Sequence, residues 1–347
     1  MPAKPLLLAL DFGGTKLAAA LAPAGEDRQG GSGRDRQAGG WLAREEAPSP
    51  PGRTAQSDMR IMMELVGKLL AAVQSTPAAI GISFGGPVAA GRRVVLLSHH
   101  VPGWEQMPLC DRLEADLGAP ALMDNDGNAA ALGEHRYGAG RGYTSLLYIT
   151  VSTGVGGGWI LNGQPWVGAD GVAGEIGHMV VDPQGPACPC GKRGCVEVMA
   201  SGLGIAQRAA EWLAARPDEG SVLRSLAADN SALNAELVAR AAAQGDELAW
   251  QALEVSARAL GNGIGAAANL MNPELFVLGG GVTKAGDRWW QAVRQAARDT
   301  ALPEIRTEIA PAALGDDAPL WGAIALAQDG IPRPAMREDG TGTEERP

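Results

Sequence analysis

The sequence predicts an α/β protein made of two halves of related design that face each other across a cleft. Three observations carry that expectation. A continuous apolar run, Leu6–Leu10, enters a tight turn at Gly13-Gly14. A second, Leu146–Val151, enters the Gly-rich segment Ser152-Thr153-Gly154-Val155-Gly156-Gly157-Gly158 about 140 residues later, in the other half of the chain. The total of 347 residues suits two domains of roughly 100–200 residues each.

Each element follows from a local pattern. Leu6–Leu10 lacks alternation, as in a strand buried on both faces. Phe12-Gly13-Gly14 breaks it and Leu17–Leu21 resumes it, which predicts a hairpin. Residues 24–40 hold six Gly and six charged residues but no large apolar side chain, so a mobile loop is expected there. Trp41–Glu46 reads as a third strand. Ile61, Met62, Leu65, Val66, Leu69, Leu70 and Val73 recur at helical spacing and predict an amphipathic helix over 54–74. Ile80–Ser83 and Ala121–Met123 read as short strands ending in Gly85-Gly86-Pro87 and Asp124-Asn125-Asp126. Alanine-rich residues 127–136 read as helix, and further helices fill 201–243. Trp250, Leu253, Ala257, Leu260, Ile264, Ala267 and Met271 mark one long helix ended by Pro273. Each of Gly261, Gly263 and Gly265 costs about 1 kcal/mol inside it, which predicts close packing there. Leu275–Leu278 is a strand ending in Gly279-Gly280-Gly281, residues 318–328 are helical, and the polar tail over 332–347 is expected to be disordered.

The composition narrows the function. With 29 Lys and Arg against 39 Asp and Glu, the net charge is −10. An acidic chain without a dense basic stripe argues against nucleic acid and against a polybasic membrane contact. No apolar run approaches the roughly 18 residues of a spanning helix, and Leu6–Leu10 is too short for the core of a secretion signal. A cytoplasmic location is expected.

Four constellations could carry chemistry. In Asp11-Phe12-Gly13-Gly14-Thr15-Lys16, two glycines at a strand end let backbone N–H groups approach a phosphate. Thr15 adds a hydroxyl, Lys16 a cation, and Asp11 a place for Mg²⁺. A plain type I′ hairpin turn fits the same residues. The run Ser152–Gly158 could form a second anion cradle, and Gly279-Gly280-Gly281 a place where a flat base approaches backbone. Each could instead be an ordinary turn, but three together point to a nucleotide. Asp126 could serve as a general base or simply as a helix N-cap. Finally, Gly174-Glu175-Ile176-Gly177-His178 precedes Cys188, Cys190, Cys195 and Glu197. His178 with three Cys makes a closed tetrahedral zinc set, which is structural because no coordination position stays open. The alternative is three free thiols beside an unrelated histidine.

Taken together, these residues resemble the ROK family of sugar kinases and repressors, within the actin-like ATPase and sugar kinase group. The likeness covers about residues 5–330. Glu175 to His178 with Gly174 matches the family's GEIGH signature, and Cys188-Pro189-Cys190-Gly191-Lys192-Arg193-Gly194-Cys195-Val196-Glu197 matches CxCGxxGCxE. Asp11–Lys16 matches DxGGTK, and Asn125–Glu134 matches NDxNAAALGE. The resemblance implies an actin-like ATPase (ribonuclease H-like) fold with an interdomain cleft. The expected small domain is 1–123 with a helix over about 316–330 packed back on it; the large domain is 124–315, with a zinc loop over 178–197.

The resemblance also implies roles. Asp126 would be the catalytic base, and Asn125, Glu175, His178 and Glu197 would hydrogen-bond the sugar, with Gly86 at its border. Asp11, Gly13, Gly14, Thr15, Lys16, Thr153 and Gly154 would hold the phosphates of ATP and its Mg²⁺, and Gly279 and Gly280 would lie near the adenosine. His178, Cys188, Cys190 and Cys195 would ligate zinc. The expected reaction is phosphorylation of a hexose, glucose to glucose 6-phosphate, by a homodimer. Two departures bear on the sugar: Gly85-Gly86-Pro87-Val88 stands where many family glucokinases have PGPV, and His100-Val101-Pro102-Gly103-Trp104 where they have NLPGW. They keep N-acetylmannosamine, N-acetylglucosamine and fructose open as acceptors. A repressor of the family needs an N-terminal helix-turn-helix, for which a phosphate loop starting at Asp11 leaves no room. A sugar-sensing regulator without catalysis is the remaining alternative of another class.

Overall fold

The structure is a computed structural model and describes residues 4–25, 40–89, 91–98, 101–228 and 232–331. The loop expected over 24–40 lies outside the described residues except at Ala24, Gly25 and Gly40, and so do His100 and the tail from residue 332.

The first sheet begins with an antiparallel meander of β1 (Leu6–Phe12), β2 (Lys16–Pro23) and β3 (Ala43–Pro48). Helix α1 (Ala55–Val73), β4 (Ala79–Phe84), α2 (Leu109–Leu117) and β5 (Ala121–Asn125) complete it, in the strand order β3-β2-β1-β4-β5. After α3 (Asp126–Tyr137) the plan repeats. Strands β6 (Leu146–Val151), β7 (Val155–Leu161) and β8 (Gln164–Trp166) form a second meander. Five helices follow: α4 (Val196–Ala200), α5 (Gly202–Ala215), α6 (Ser221–Ala228), α7 (Ala235–Ala243) and α8 (Glu247–Met271). Then come β9 (Leu275–Gly279), α9 (Asp287–Thr300), β10 (Ile309–Pro311) and α10 (Ala318–Asp329). The second sheet reads β8-β7-β6-β9-β10. In both sheets the first strand is central, the second and third run antiparallel on one side, and two parallel strands lie on the other. The turns at Gly13-Gly14 and Thr153-Gly154 are therefore the same turn in two copies, as the paired glycine signal predicts.

The apolar runs bury both faces. Leu8, Leu10 and Phe12 pack under α1 and α2, while Leu7 and Ala9 face Leu320, Ala323 and Ile324 of α10. In the second sheet Leu147, Ile149 and Val151 join the core made with α4 to α9, and Leu146 and Tyr148 face α3. Helix α1 starts where Thr54 and Ser57 form a reciprocal capping box. The glycines of α8 do pack closely. A Cβ on Gly261 would stand 2.5 Å from Val293 O, and one on Gly265 2.7 Å from Ala297 O.

Helices α3 and α10 cross where both carry glycine. A Cβ on Gly322 would overlap the Ala129 carbonyl, and one on Gly133 the Ala318 carbonyl. Alanine gains about 1 kcal/mol of helix propensity over glycine, but overpacking of this kind costs about 1–3 kcal/mol or more, so the steric term wins. Gly322→Ala is expected to lower the thermal unfolding midpoint; an unchanged or higher midpoint would show that the crossing yields freely.

Some expectations shift. Helix α2 was not foreseen; it is short, and only Leu109, Cys110 and Leu113 of it are buried. The strand expected at Trp41–Glu46 starts at Ala43, and Trp41 instead stacks on Trp321 at 3.9 Å. Gly156, Gly157 and Gly158 do not extend the turn; they lie within β7. A Cβ on Gly158 would meet Gly127 O at 2.6 Å, and one on Gly157 would meet Gly174 O at 2.8 Å. Their glycine identity serves close backbone approach rather than an anion cradle.

Candidate active site

Asp11, Gly13, Gly85, Asn125, Asp126, Thr153 and Gly281 all sit at or just past the C-terminal ends of strands, where open α/β sheets place their ligands. Asp126 begins α3, and the capping task falls on its neighbour. Asn125 Oδ1 accepts from Gly127 N–H at 2.9 Å, while its Nδ2 donates to Gly86 O at 3.0 Å. Asn125 thereby ties the end of β5 to the turn after β4. The Asp126 carboxylate lies above Gly85, where a Cβ would be 3.7 Å from Asp126 Oδ2 and 3.8 Å from Gly13 Cα. Burial, helped by the charge of Glu175, pushes the Asp126 carboxyl up to about 6, against the pull of the Gly127 N–H. Burial also pushes Asp11 up to about 7, with the Ser83 hydroxyl opposing and Asp126 adding to the rise. Asp11 is 5% exposed, and its Oδ1 finds no hydrogen-bond donor among the described residues. Such an acceptor fits a cation.

Hydrogen bonds and packed rings support these groups from behind. Asp124 accepts from Asn125 N–H and from Asn128 Nδ2, both at 2.9 Å, and faces Arg92 Nη1 at 3.2 Å. Trp104, 1% exposed, meets Phe12 and Phe84 edge-on at 5.4 and 4.8 Å. These two rings end the strands that lead into Gly13 and Gly85.

The turns differ in why they need glycine. Neither Gly13 nor Gly14 has positive φ, so the loop is not a type I′ turn. A Cβ on Gly13 would stand 2.9 Å from Lys16 O, but one on Gly14 would meet nothing within 4 Å. Gly14 and Thr15 are exposed at the tip. Lys16 is turned toward Glu46 at 3.6 Å and Asp317 at 3.9 Å rather than standing free. In the equivalent turn Thr153 is exposed, and Gly154 leaves room for Glu197, whose Oε2 would be 2.7 Å from a Cβ there and accepts from Val155 N–H at 3.1 Å. Gly279 and Gly280 have packing reasons: a Cβ on Gly279 would be 2.5 Å from Tyr148 Oη, and Gly280 has φ +88°. Gly281, the third glycine of the run read from the sequence as a base-binding place, is the member with open space around it.

His178, Cys188, Cys190 and Cys195 converge, their ligand atoms lying within 4.8 Å of one another. Cys190 Sγ and Cys195 Sγ are 3.6 Å apart, and His178 Nδ1 is 4.0 Å from Cys188 Sγ. A zinc tetrahedron with 2.3 Å bonds has an S···S edge of about 3.8 Å, so the donor set and its spacing fit that metal. His178 Nε2 points the other way, 4.0 Å from Glu175 Oε2. The loop feeds directly into α4: Cys195 is its N-cap residue, Glu197 lies in its first turn, and Gly202 N–H just beyond donates to Ser152 O at 2.7 Å. Two residues with no local sequence signal, Ser49 and Arg53, also reach the Gly13–Thr15 loop, across 34 and 40 residues of chain.

Known proteins match this chain over most of its length. The model of the ROK family matches residues 7–330. A glucokinase of Halalkalibacterium halodurans is 42% identical over 250 residues, 70% of this chain and 74% of that protein. An N-acetylmannosamine kinase of Escherichia coli O1:K1 is 36% identical over 324 residues, 93% of this chain and 99% of that one. The crystal structure of a ROK family glucokinase from Streptomyces griseus in complex with glucose and AMPPNP superposes with a TM-score of 0.77 at 33% identity, covering 94% of this chain and 100% of that one.

Proposed function

The chain belongs to the ROK family and is a sugar kinase of actin-like ATPase fold; from that premise we propose that it transfers the γ-phosphoryl group of MgATP to the 6-hydroxyl of glucose. The observation that carries this reading is the placement of Asp126. Asn125 caps α3 while Asp126 Oδ1 accepts from the same Gly127 N–H, which leaves Asp126 Oδ2 beside the Gly13 loop and the Gly85 turn, on a half-buried carboxyl raised to about 6. The 42% identity to a glucokinase and the likeness to the glucose-bound structure favour glucose over the amino sugars.

In this reading the acceptor hydroxyl donates to Asp126 and loses its proton there as it attacks in line. Asn125, Glu175, His178 and Glu197 orient the sugar with Gly86 at its edge. Gly13, Gly14, Thr15, Thr153 and Gly154 present backbone N–H groups and hydroxyls to the phosphates, Lys16 adds charge, and Gly279 to Gly281 flank the adenosine. Asp11 would hold Mg²⁺, which neutralises charge on the transferring group. His178, Cys188, Cys190 and Cys195 would hold a structural zinc that fixes Glu175 and Glu197. The smaller unit, 1–123 with the helix over 316–330, would close on the larger, 124–315, and exclude water that would waste ATP.

A coupled ADP-release assay across glucose, mannose, fructose, N-acetylglucosamine and N-acetylmannosamine tests the acceptor. Glucose is expected to give the highest kcat/KM. An equal or higher value with N-acetylmannosamine would replace it and would give the Gly85-Gly86 turn its meaning.

A further inference from the structure

The loop proposed to take the phosphates is held from outside by one segment, Ser49–Asp58, which leads from β3 into α1. Ser49 N–H donates to Thr15 O at 3.0 Å. Arg53 Nη2 donates to Gly13 O at 3.1 Å, and Nη1 to the Ser49 hydroxyl. Asp58, 2% exposed, stands 3.8 Å behind the guanidinium. Both ends of the Gly13–Thr15 loop are thus held through their carbonyls, Thr15 by the Ser49 N–H and Gly13 by the Arg53 fork, whose side chain is only 12% exposed.

A trans peptide points its C=O and N–H in opposite directions. With the Gly13 carbonyl drawn toward Arg53, the Gly14 N–H is turned the other way. Gly14 lies beyond the last β1–β2 pair, Phe12 with Leu17, and a Cβ there would meet nothing. A charged donor on the carbonyl also polarises the peptide and strengthens the opposite N–H as a donor.

We propose that Arg53 is a positioning residue for phosphoryl transfer: it sets the Gly13–Gly14 peptide plane so that the Gly14 N–H is presented to the phosphates of the donor nucleotide. The inference rests on reading Gly13–Thr15 as the phosphate loop. Arginine is required by the geometry. The planar fork meets the Gly13 carbonyl with one nitrogen and the Ser49 hydroxyl with the other, a two-pronged grip that a single ammonium does not reproduce.

Arg53→Ala is expected to raise the KM for MgATP by about 10-fold to 100-fold, the range for losing a charge-assisted hydrogen bond. The KM for the sugar should stay within about twofold, because the fork touches Gly13, Ser49 and Asp58 and none of the residues placed at the sugar. Arg53→Lys, which keeps the cation and stem but not the fork, should show the same split with a smaller rise, and it serves the comparison where truncation unfolds the chain. Thermal melts accompany both. A parallel Gly14→Ala variant, which folds without a clash but puts a Cβ into the open space where the phosphates are read to sit, separates the phosphate-loop reading from the Arg53 role. If Gly14→Ala leaves the ATP KM unmoved, the phosphate-loop reading fails and the Arg53 role with it. If Gly14→Ala raises it and neither Arg53 variant does, the Arg53 role alone is wrong. A matched rise in the KM for ATP and for sugar in the Arg53 variants would make the residue merely structural and would equally overturn the proposal.

Discussion

Replacing Asp126 by Asn is expected to lower kcat by about 10²–10⁴-fold, the usual contribution of a general base, while sugar affinity stays nearly unchanged. Asn is close in volume and keeps one oxygen to accept from Gly127 N–H, as Asp126 Oδ1 does at 2.9 Å. What it lacks is a site for the departing proton. The same residue predicts the pH profile. A base must be ionised to act, and the Asp126 carboxyl is raised to about 6. The rate should therefore fall as pH drops through about 6 and level off above it. In the Asn variant this acid limb should vanish along with the rate. An Asn variant of near-normal kcat, or one that retains the limb, would remove Asp126 from the base role.

The second large effect concerns the Cys₃His cluster. Purified protein is expected to carry about one zinc per chain, and Cys195→Ala to lose both the metal and the activity. Cys195 is fully buried and is the N-cap residue of α4, so the loss propagates. Glu197 in that helix holds Val155 N–H, and Gly202 N–H just beyond it holds Ser152 O. The turn carrying Thr153 and Gly154 should loosen together with the sugar side. Structural zinc in small metal loops contributes on the order of 10 kcal/mol to folding of the loop, enough to order a segment with little helix or strand of its own. Metal analysis and a thermal melt read this without any turnover assay. A fully stable, fully active protein without bound metal would refute the zinc reading.

Much of this site could be read from the chain before folding, because its parts are short and self-announcing. Gly13-Gly14-Thr15, Asn125-Asp126, and Gly174 to Glu197 each place chemically committed residues at fixed spacing. The structure places the first two at strand ends of the first sheet and the third in the loop that leads into α4. What escaped reading is what tertiary approach decides. Whether a glycine makes room for a ligand or for a neighbouring backbone is not written locally. Gly157, Gly158, Gly279 and Gly280 serve packing, while Gly14 and Gly281 stand in the open. Nor does the sequence say which of Asn125 and Asp126 caps the helix; the hydrogen bond from Asn125 Nδ2 to Gly86, 39 residues away, fixes that choice. Lys16 reads as a phosphate cation, yet Glu46 and Asp317 reach it from β3 and from the start of α10.

Product analysis after incubating the zinc-replete chain with glucose and MgATP tests the central claim most directly. Glucose 6-phosphate and ADP are expected in equal amounts, with formation of both slowed by about 10²–10⁴-fold in the Asp126→Asn protein. Sugar binding without any sugar phosphate, from glucose or from any other hexose supplied, would contradict it and make the chain a sensor built on a kinase fold.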